Sequence, residues 1–385
     1  MSGSVLAVDI GGTKFAVALV DSDGNVRAAR RTATPPGGDA RALWKALGEL
    51  VDSLLDGAAA DGLIDGDTAA GGVVAGVGIG CGGPMTWPEG AVSPLNMPGW
   101  RGFPLRAKLA ERFPGVPVRI HNDAVCLAVA EHWRGAGRGS ANMLGMVVST
   151  GVGGGLILGG RLIDGGSGNA GHIGHIVVDP DGPPCGCGGR GCLEAIARGP
   201  GLAAWAVEQG WTPGAVGPPA AATALSGEGP RTSGNTAQTS DDGSSTSGST
   251  AETSGGRNGA FGGGPGDPGA GPAYVEAAAA SGRQLALDAE AGDEIALAAM
   301  SRAGRALGLA IASATNLCDL DVVTIGGGLS QAGPLLFDPL EATLRDHTRM
   351  EFARRVRVVP ASLGQDAGLV GAAALILAAD RYWTH

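Results

Sequence analysis

The chain has 385 residues, enough for two domains with cores of their own and for a third only if every residue folds. A formal net charge of −10 and a pI near 5.1 leave no footprint for a nucleic-acid backbone and no polybasic patch for a membrane, so neither is an expected partner. No secretory leader pattern opens the chain, and no apolar run is expected to approach the roughly 18 residues of a spanning helix, so the sequence reads as cytoplasmic.

Val5 to Asp9, Lys14 to Val20 and Asn25 to Thr32 read as three short strands, the first two joined through Gly11 and Gly12 and the next pair through the Asp23-Gly24 turn. Between Asp39 and Asp56 the residues Leu43, Leu47, Leu50, Val51 and Leu54 recur at helical spacing, with Asp39 as a candidate cap. Strands are expected at Val73 to Ile79 and Val116 to Ile120, flanking a helix at Leu105 to Arg112, and a further helix begins near Asp123. The second half restarts the same way, with Met143 to Ser149, a glycine-rich turn, Gly155 to Leu158 and Arg161 to Ile163. A long helix from Asp293 to Leu317, a strand at Asp321 to Ile325 and a helix-strand-helix finish through Val356 to Val359 and Leu369 to Ala379 complete it. Two halves that each open with a three-strand meander predict a duplicated α/β unit with a cleft between the copies. Residues 226–272 contain no Val, Leu, Ile, Met, Trp or Tyr, and such a segment cannot offset an ordering cost on the order of 1–2 kcal/mol per residue, so it reads as a disordered Gly/Ser/Thr-rich insertion.

In the first hairpin, Asp9-Ile10-Gly11-Gly12-Thr13-Lys14, two glycines allow backbone N–H groups to approach a phosphate, and Asp9 can hold magnesium through water; a plain hairpin turn explains the same residues. The pattern recurs in kind at Ser149-Thr150-Gly151-Val152-Gly153-Gly154-Gly155, and Ile325-Gly326-Gly327-Gly328 ends a buried strand. No P-loop sequence occurs. Gly78, Gly80 and Gly83 nominally fit a dinucleotide fingerprint, but Pro84 follows at once and the acidic residue expected about 20 positions on is missing. At His121-Asn122-Asp123, Asn122 or Asp123 fits a helix cap, and a carboxylate at a helix N-terminus facing a cleft is also placed to take a proton from a hydroxyl. Finally, Gly171 to Glu194 places His175 ten positions before Cys185 in C-x-C-x₄-C with Cys187 and Cys192, one imidazole and three thiolates that suit the tetrahedral shell of structural zinc. A disulfide fits less well, since Cys185 and Cys187 are too close to pair and the other three of the six cysteines are scattered singly.

The string CGCGGRGCLE, with Gly-His ten residues before its first cysteine, resembles the signature of the ROK family of sugar kinases and sugar-responsive repressors. The resemblance covers nearly the whole chain apart from the insertion. It implies the actin-like ATPase (ribonuclease-H-like) duplicated fold, with residues 1–122 and a returning C-terminal helix at 367–380 as one domain. Residues 123–366, carrying the zinc loop at 172–194, form the other. It further implies MgATP as the donor, with Asp9, Gly11, Gly12, Thr13 and Lys14 as the first phosphate motif. Thr150, Gly151 and Gly153 belong to the second, and Gly326 and Gly327 to the adenosine motif. By the same resemblance Asp123 is the general base, and Asn96, Asn122, His175 and Glu194 bind the sugar beside a zinc held by His175, Cys185, Cys187 and Cys192. A hexose is the implied substrate and a homodimer the implied assembly. Where glucokinases of the family read G-E-x-G-H, this chain reads Gly171-His172-Ile173-Gly174-His175, which is similar to bacterial N-acetylmannosamine kinases. That puts His172 at the sugar and places N-acetylmannosamine slightly ahead of glucose. The repressor branch is the alternative; its members carry a winged helix-turn-helix ahead of the first phosphate motif, for which the residues before Asp9 leave no room.

Overall fold

The computed structural model describes residues 3–64, 74–94, 96–215 and 272–383, the stretch 272–280 as helical backbone alone. The insertion expected at 226–272 lies outside the described residues but for Pro272, where a helix begins.

Two five-stranded sheets form the frame. Strands β1 (Val5–Ile10), β2 (Lys14–Val20) and β3 (Val26–Ala33) make an antiparallel meander; β4 (Val77–Cys81) pairs in parallel with β1 and β5 (Val118–Asn122) in parallel with β4, in the order β3-β2-β1-β4-β5. Helix α1 (Ala40–Ala60) makes the crossover from β3 to β4, and α2 (Leu105–Arg112) the one from β4 to β5. The second sheet repeats the plan: β6 (Met143–Val148), β7 (Val152–Leu158) and β8 (Arg161–Leu162) are antiparallel, and β9 (Val322–Gly326) and β10 (Arg357–Pro360) extend β6 in parallel. The equivalent strand orders confirm the duplicated, actin-like ATPase fold expected from the sequence.

Helix α1 starts where the sequence places it, because Asp39 accepts a hydrogen bond from the Ala42 N–H at 2.7 Å. Its leucines at 43, 47 and 54 are buried, each contributing about 1.5–3 kcal/mol relative to exposure. Trp100 is a core residue, stacked on Phe103 at 4.5 Å and on Phe15 at 6.0 Å.

Helices α3 (Asp123–Trp133) and α9 (Ala367–Leu377) join the two sheets through one apolar cluster, in which Ala7 and Ala18 of the first sheet and Met143 and Ile157 of the second meet Val125, Ala128, Leu369 and Ala372. The approach is too close for side chains. A Cβ at Gly78 would lie 1.8 Å from the Ala372 carbonyl, and one at Gly371 would lie 1.7 Å from that of Cys126.

Several elements depart from expectation. Strand β5 runs on through His121 and Asn122, and β7 absorbs Gly153, Gly154 and Gly155, so the second turn shrinks to the three residues at 149–151. Helices α4 (Leu193–Ala197), α5 (Gly199–Glu208) and α6 (Pro272–Glu290) were not anticipated; α5 opens on Gly-Pro-Gly, which reads as a breaker until Pro200 is seen to occupy a first-turn position. Helix α7 (Glu294–Cys318) corrects the expectation about apolar runs: one 18-residue window has mean hydropathy 1.4, enough by length and composition to cross a membrane. Its Ala and Gly residues, Ala298 apart, face the core, and a Cβ at Gly304 would lie 2.6 Å from the Leu336 carbonyl of α8 (Pro334–His347), so packing accounts for the composition. Helix α10 (Ala379–Tyr382) ends the described chain.

Candidate active site and metal centre

The first hairpin turn is closed by the Gly11 N–H donating to the Lys14 carbonyl at 3.0 Å and is tied to the end of β3 by Thr34, whose hydroxyl donates to the Gly11 carbonyl at 2.8 Å. Thr13 and Lys14 project into solvent. The Asn96 side chain lies directly on Gly12, its Nδ2 being 2.0 Å from where a Cβ would stand. Two residues assigned from separate motifs therefore meet.

Asp9, on β1 opposite Gly80 of β4, sits in a confined position that the start of α9 closes from another side, since a Cβ at Gly368 would lie 2.7 Å from its Oδ2. Burial, and then the charge of Asp123, push its pKa up from 3.8 to about 6, against partial opposition from Lys14 and Arg31. Asp123 opens α3, and burial raises its pKa also, while the Ala124 N–H donating to its Oδ1 at 2.8 Å acts the other way. The cap itself belongs to Asn122, whose Oδ1 accepts from the same N–H at 3.0 Å. Neither Asp9 nor Asp123 has an ion-pair partner within 4.0 Å among the described residues.

Beneath them lies a pair that sequence reasoning missed. His121 is fully buried; its Nδ1 accepts from the Asn122 N–H at 2.8 Å, so Nε2 carries the proton and donates to Asp164 at 3.0 Å. The Trp87 ring rests 4.8 Å away. This pairing fixes the backbone of Asn122 immediately before the candidate base. No local signal could have found it, because Asp164 stands 43 positions along the chain.

In the second hairpin the Ser149 N–H donates to the Gly151 carbonyl at 2.9 Å, and the Gly199 N–H donates to the Ser149 carbonyl at 2.8 Å. Glu194 reaches the same turn: its Oε2 accepts from the Val152 N–H at 2.9 Å. A Cβ at Gly153 would lie 2.7 Å from that of Ala124, so this glycine lets β7 press against the first turn of α3 beside Asp123. Packing alone requires glycine there. At the third motif, Gly327 has φ +92°, and a Cβ on it would lie 2.3 Å from the Val148 carbonyl, which seats the end of β9 against the second hairpin. Gly326 and Gly327 thereby lie against Val147 and Val148, the end of β6 that leads into Thr150 and Gly151.

The loop after β8 forms a single 3₁₀ turn at Ile173–His175 and then a short hairpin through the cysteines, with Cys185 N–H donating to the Gly189 carbonyl at 2.8 Å. The ligand atoms of His175, Cys185, Cys187 and Cys192 all lie within 4.8 Å of one another. Cys187 Sγ is 3.8 Å from Cys192 Sγ, and His175 Nδ1 is 3.8 Å from Cys185 Sγ. A tetrahedron with Zn–S bonds of about 2.3 Å has edges of ~3.8 Å, so the donor set and its spacing fit zinc. Cys81 and Cys126 stand apart, fully buried thiols whose pKa burial pushes well up. The imidazole of His172 stacks over that of His175 with ring centres 6.2 Å apart, and its pKa is lowered by burial first and then by His175 and His121, while Glu194 raises it. His172 and His175 therefore stand side by side on the loop, within electrostatic reach of His121 and Glu194.

The sequence pattern of the ROK family matches residues 5–379. Over 379 residues the chain is 30% identical to a glucokinase of Thermotoga maritima, covering 97% of this chain and 96% of that one. A 201-residue stretch is 43% identical to the N-acetylmannosamine kinase of Citrobacter koseri, covering 52% of this chain and 63% of the relative. The fold matches that of a ROK family glucokinase from Streptomyces griseus, solved in complex with glucose and AMPPNP, with a TM-score of 0.68 at 30% identity over 97% of this chain and 99% of the other.

Proposed function

We propose that this chain, which belongs to the ROK family, is a sugar kinase that moves the γ-phosphoryl group of ATP to the 6-hydroxyl of a hexose with Asp123 as the base. The observation that carries this reading is Asp123: a carboxylate of raised proton affinity at the N-terminus of α3, pressed against the second glycine-rich hairpin and beside a second carboxylate, Asp9. A carboxylate shifted upward is a better proton acceptor than an ordinary one. The hydroxyl proton passes to Asp123, the sugar oxygen bonds to the γ-phosphorus, and the bond to the bridging oxygen breaks to release ADP. The protein's main contribution is position and electrostatics. Asn96 and Asn122 orient the sugar from one side, and His172, His175 and Glu194 from the zinc loop.

Two unpaired carboxylates in one confined place suit a divalent cation, and Asp9 would hold magnesium through water, where the ion neutralises phosphate charge. His175, Cys185, Cys187 and Cys192 would hold zinc, which supplies rigidity to the loop carrying His172 and Glu194. We take the chain to work in the cytoplasm, as a homodimer organised in two domains, without nucleic acid or membrane as a partner.

Between substrates we place N-acetylmannosamine ahead of glucose, on His172. A carboxylate there accepts hydrogen bonds only, whereas a neutral imidazole offers one donor and one acceptor and no net charge, which suits an acetamido group better than a bare hydroxyl. The test is the ratio of kcat/KM for glucose to that for N-acetylmannosamine in wild type and in His172→Glu. The ratio should rise in the variant; an unchanged ratio in an active variant removes the case for the amino sugar and leaves glucose.

A further inference from the structure

At the far end of α3 from Asp123, about 16 Å along its 11 residues, the surface opens into a cleft of about 600 Å³. It lies between the end of α3, the loop at 134–140, the β7–β8 turn and α10. Four arginines line it, Arg134, Arg138, Arg161 and Arg381, with Asp380 as the one acidic lining residue. That is a local excess of three positive charges on a chain whose net charge is −10. None of the four arginines has a carboxylate within 4.0 Å among the described residues.

Two of them are held by an aromatic ring and by a backbone carbonyl. Arg134 stacks over Trp133 at 4.5 Å, and its Nε is buried with no hydrogen-bond partner. Arg161 donates to the backbone carbonyl of Asp380 at 2.9 Å, which holds it at the cleft. The floor is fixed by His132, whose Nε2 donates to the Ser140 carbonyl at 3.0 Å, so its Nδ1 accepts from the Tyr382 hydroxyl at 2.6 Å. Cations often complement the carbonyl end of a helix, which accounts for Arg134 after α3 and for Arg381 in α10. It does not account for Arg138 and Arg161, which belong to no helix.

We propose that this cleft is a binding site for a small multivalent phosphate anion, a diphosphate or a bisphosphate ester, separate from the catalytic centre. Guanidinium forks match phosphate oxygens two at a time, and three excess charges suit a ligand carrying three or four better than a monoanion. A volume of about 600 Å³ accommodates more than one phosphate group. The proposal is independent of the assignment of the sugar.

The experiment is calorimetric titration of the full chain with pyrophosphate while AMPPNP saturates the nucleotide site, in wild type and in the double variant Arg138→Ala/Arg381→Ala. Wild type should bind one pyrophosphate per chain, more tightly than inorganic phosphate. The double variant should bind it at least tenfold more weakly while keeping wild-type sugar phosphorylation in the absence of pyrophosphate. Should the double variant fail to fold, the single exposed change Arg138→Glu must give the same loss. No binding to wild type, competition by AMPPNP, or equal affinity in the variants would each overturn the proposal.

Discussion

Replacing Asp123 by Asn separates chemistry from architecture at the candidate base. The cap of α3 is worth about 1 kcal/mol and belongs to Asn122, so it is untouched. The new side chain keeps an Oδ1 to accept from the Ala124 N–H, as Asp123 does at 2.8 Å. What changes is charge. Asp9 has a folded pKa of about 6 against an ordinary 3.8, and a carboxylate raised in this way binds protons more readily folded than unfolded. Its contribution therefore favours the fold below pH 3.8 and is lost as pH climbs to about 6, a cost of about 3 kcal/mol at neutral pH. Asp123 is one cause of that shift and is raised by burial itself, so Asp123→Asn should leave the melting temperature at pH 7.5 unchanged or higher, and flatten its fall between pH 4 and 7. Turnover should drop by roughly 10² to 10⁴, the usual contribution of a general base. Scanning fluorimetry across that pH range and a coupled ADP-release assay read the two effects on one preparation. Near-wild-type turnover would refute Asp123 as the base, and a large drop in melting temperature at pH 7.5 would refute the electrostatic reasoning.

Cys187→Ser should lower the zinc content measured by atomic absorption, reduce thermal stability and raise KM for the sugar, because one ion organises the loop that carries His172 and Glu194; wild-type protein purified without chelator and free of metal would remove the site. Glu194→Gln should weaken ATP and sugar together, each KM rising by about tenfold, since its carboxylate acts electrostatically on His172, the proposed sugar ligand, and also accepts from the Val152 N–H of the second hairpin, a charge-assisted bond worth about 1.5–3 kcal/mol. A rise confined to the sugar would show that the hairpin bond does not position the nucleotide.

Much of this fold is written in local pattern. The periodicity of Leu43, Leu47 and Leu54 and the cap at Asp39 locate α1 because both are short-range signals, and the candidate metal ligands His175, Cys185, Cys187 and Cys192 come together because they lie within one loop. The glycines were harder to read. Gly153 belongs by resemblance to a phosphate motif, and in the structure it also accommodates Ala124; a run of glycines cannot say whether a helix or a ligand fills the space it leaves. The cap at Asn122 rather than Asp123 is decided by where β5 ends, and the His121–Asp164 pair by how the two halves close, neither of which has a local signature. Helix α7 conceals its burial in small residues whose composition equally suits a lipid environment.

The most direct measurement is to incubate the purified chain with MgATP and each of glucose, N-acetylglucosamine, N-acetylmannosamine, mannose and fructose, following ADP release and identifying the product by phosphorus NMR. ADP formation that depends on a hexose, highest with N-acetylmannosamine and yielding its 6-phosphate, is the expected result. ADP release no faster with any sugar than without, or a phosphate carried at a hydroxyl other than the sixth, would contradict it.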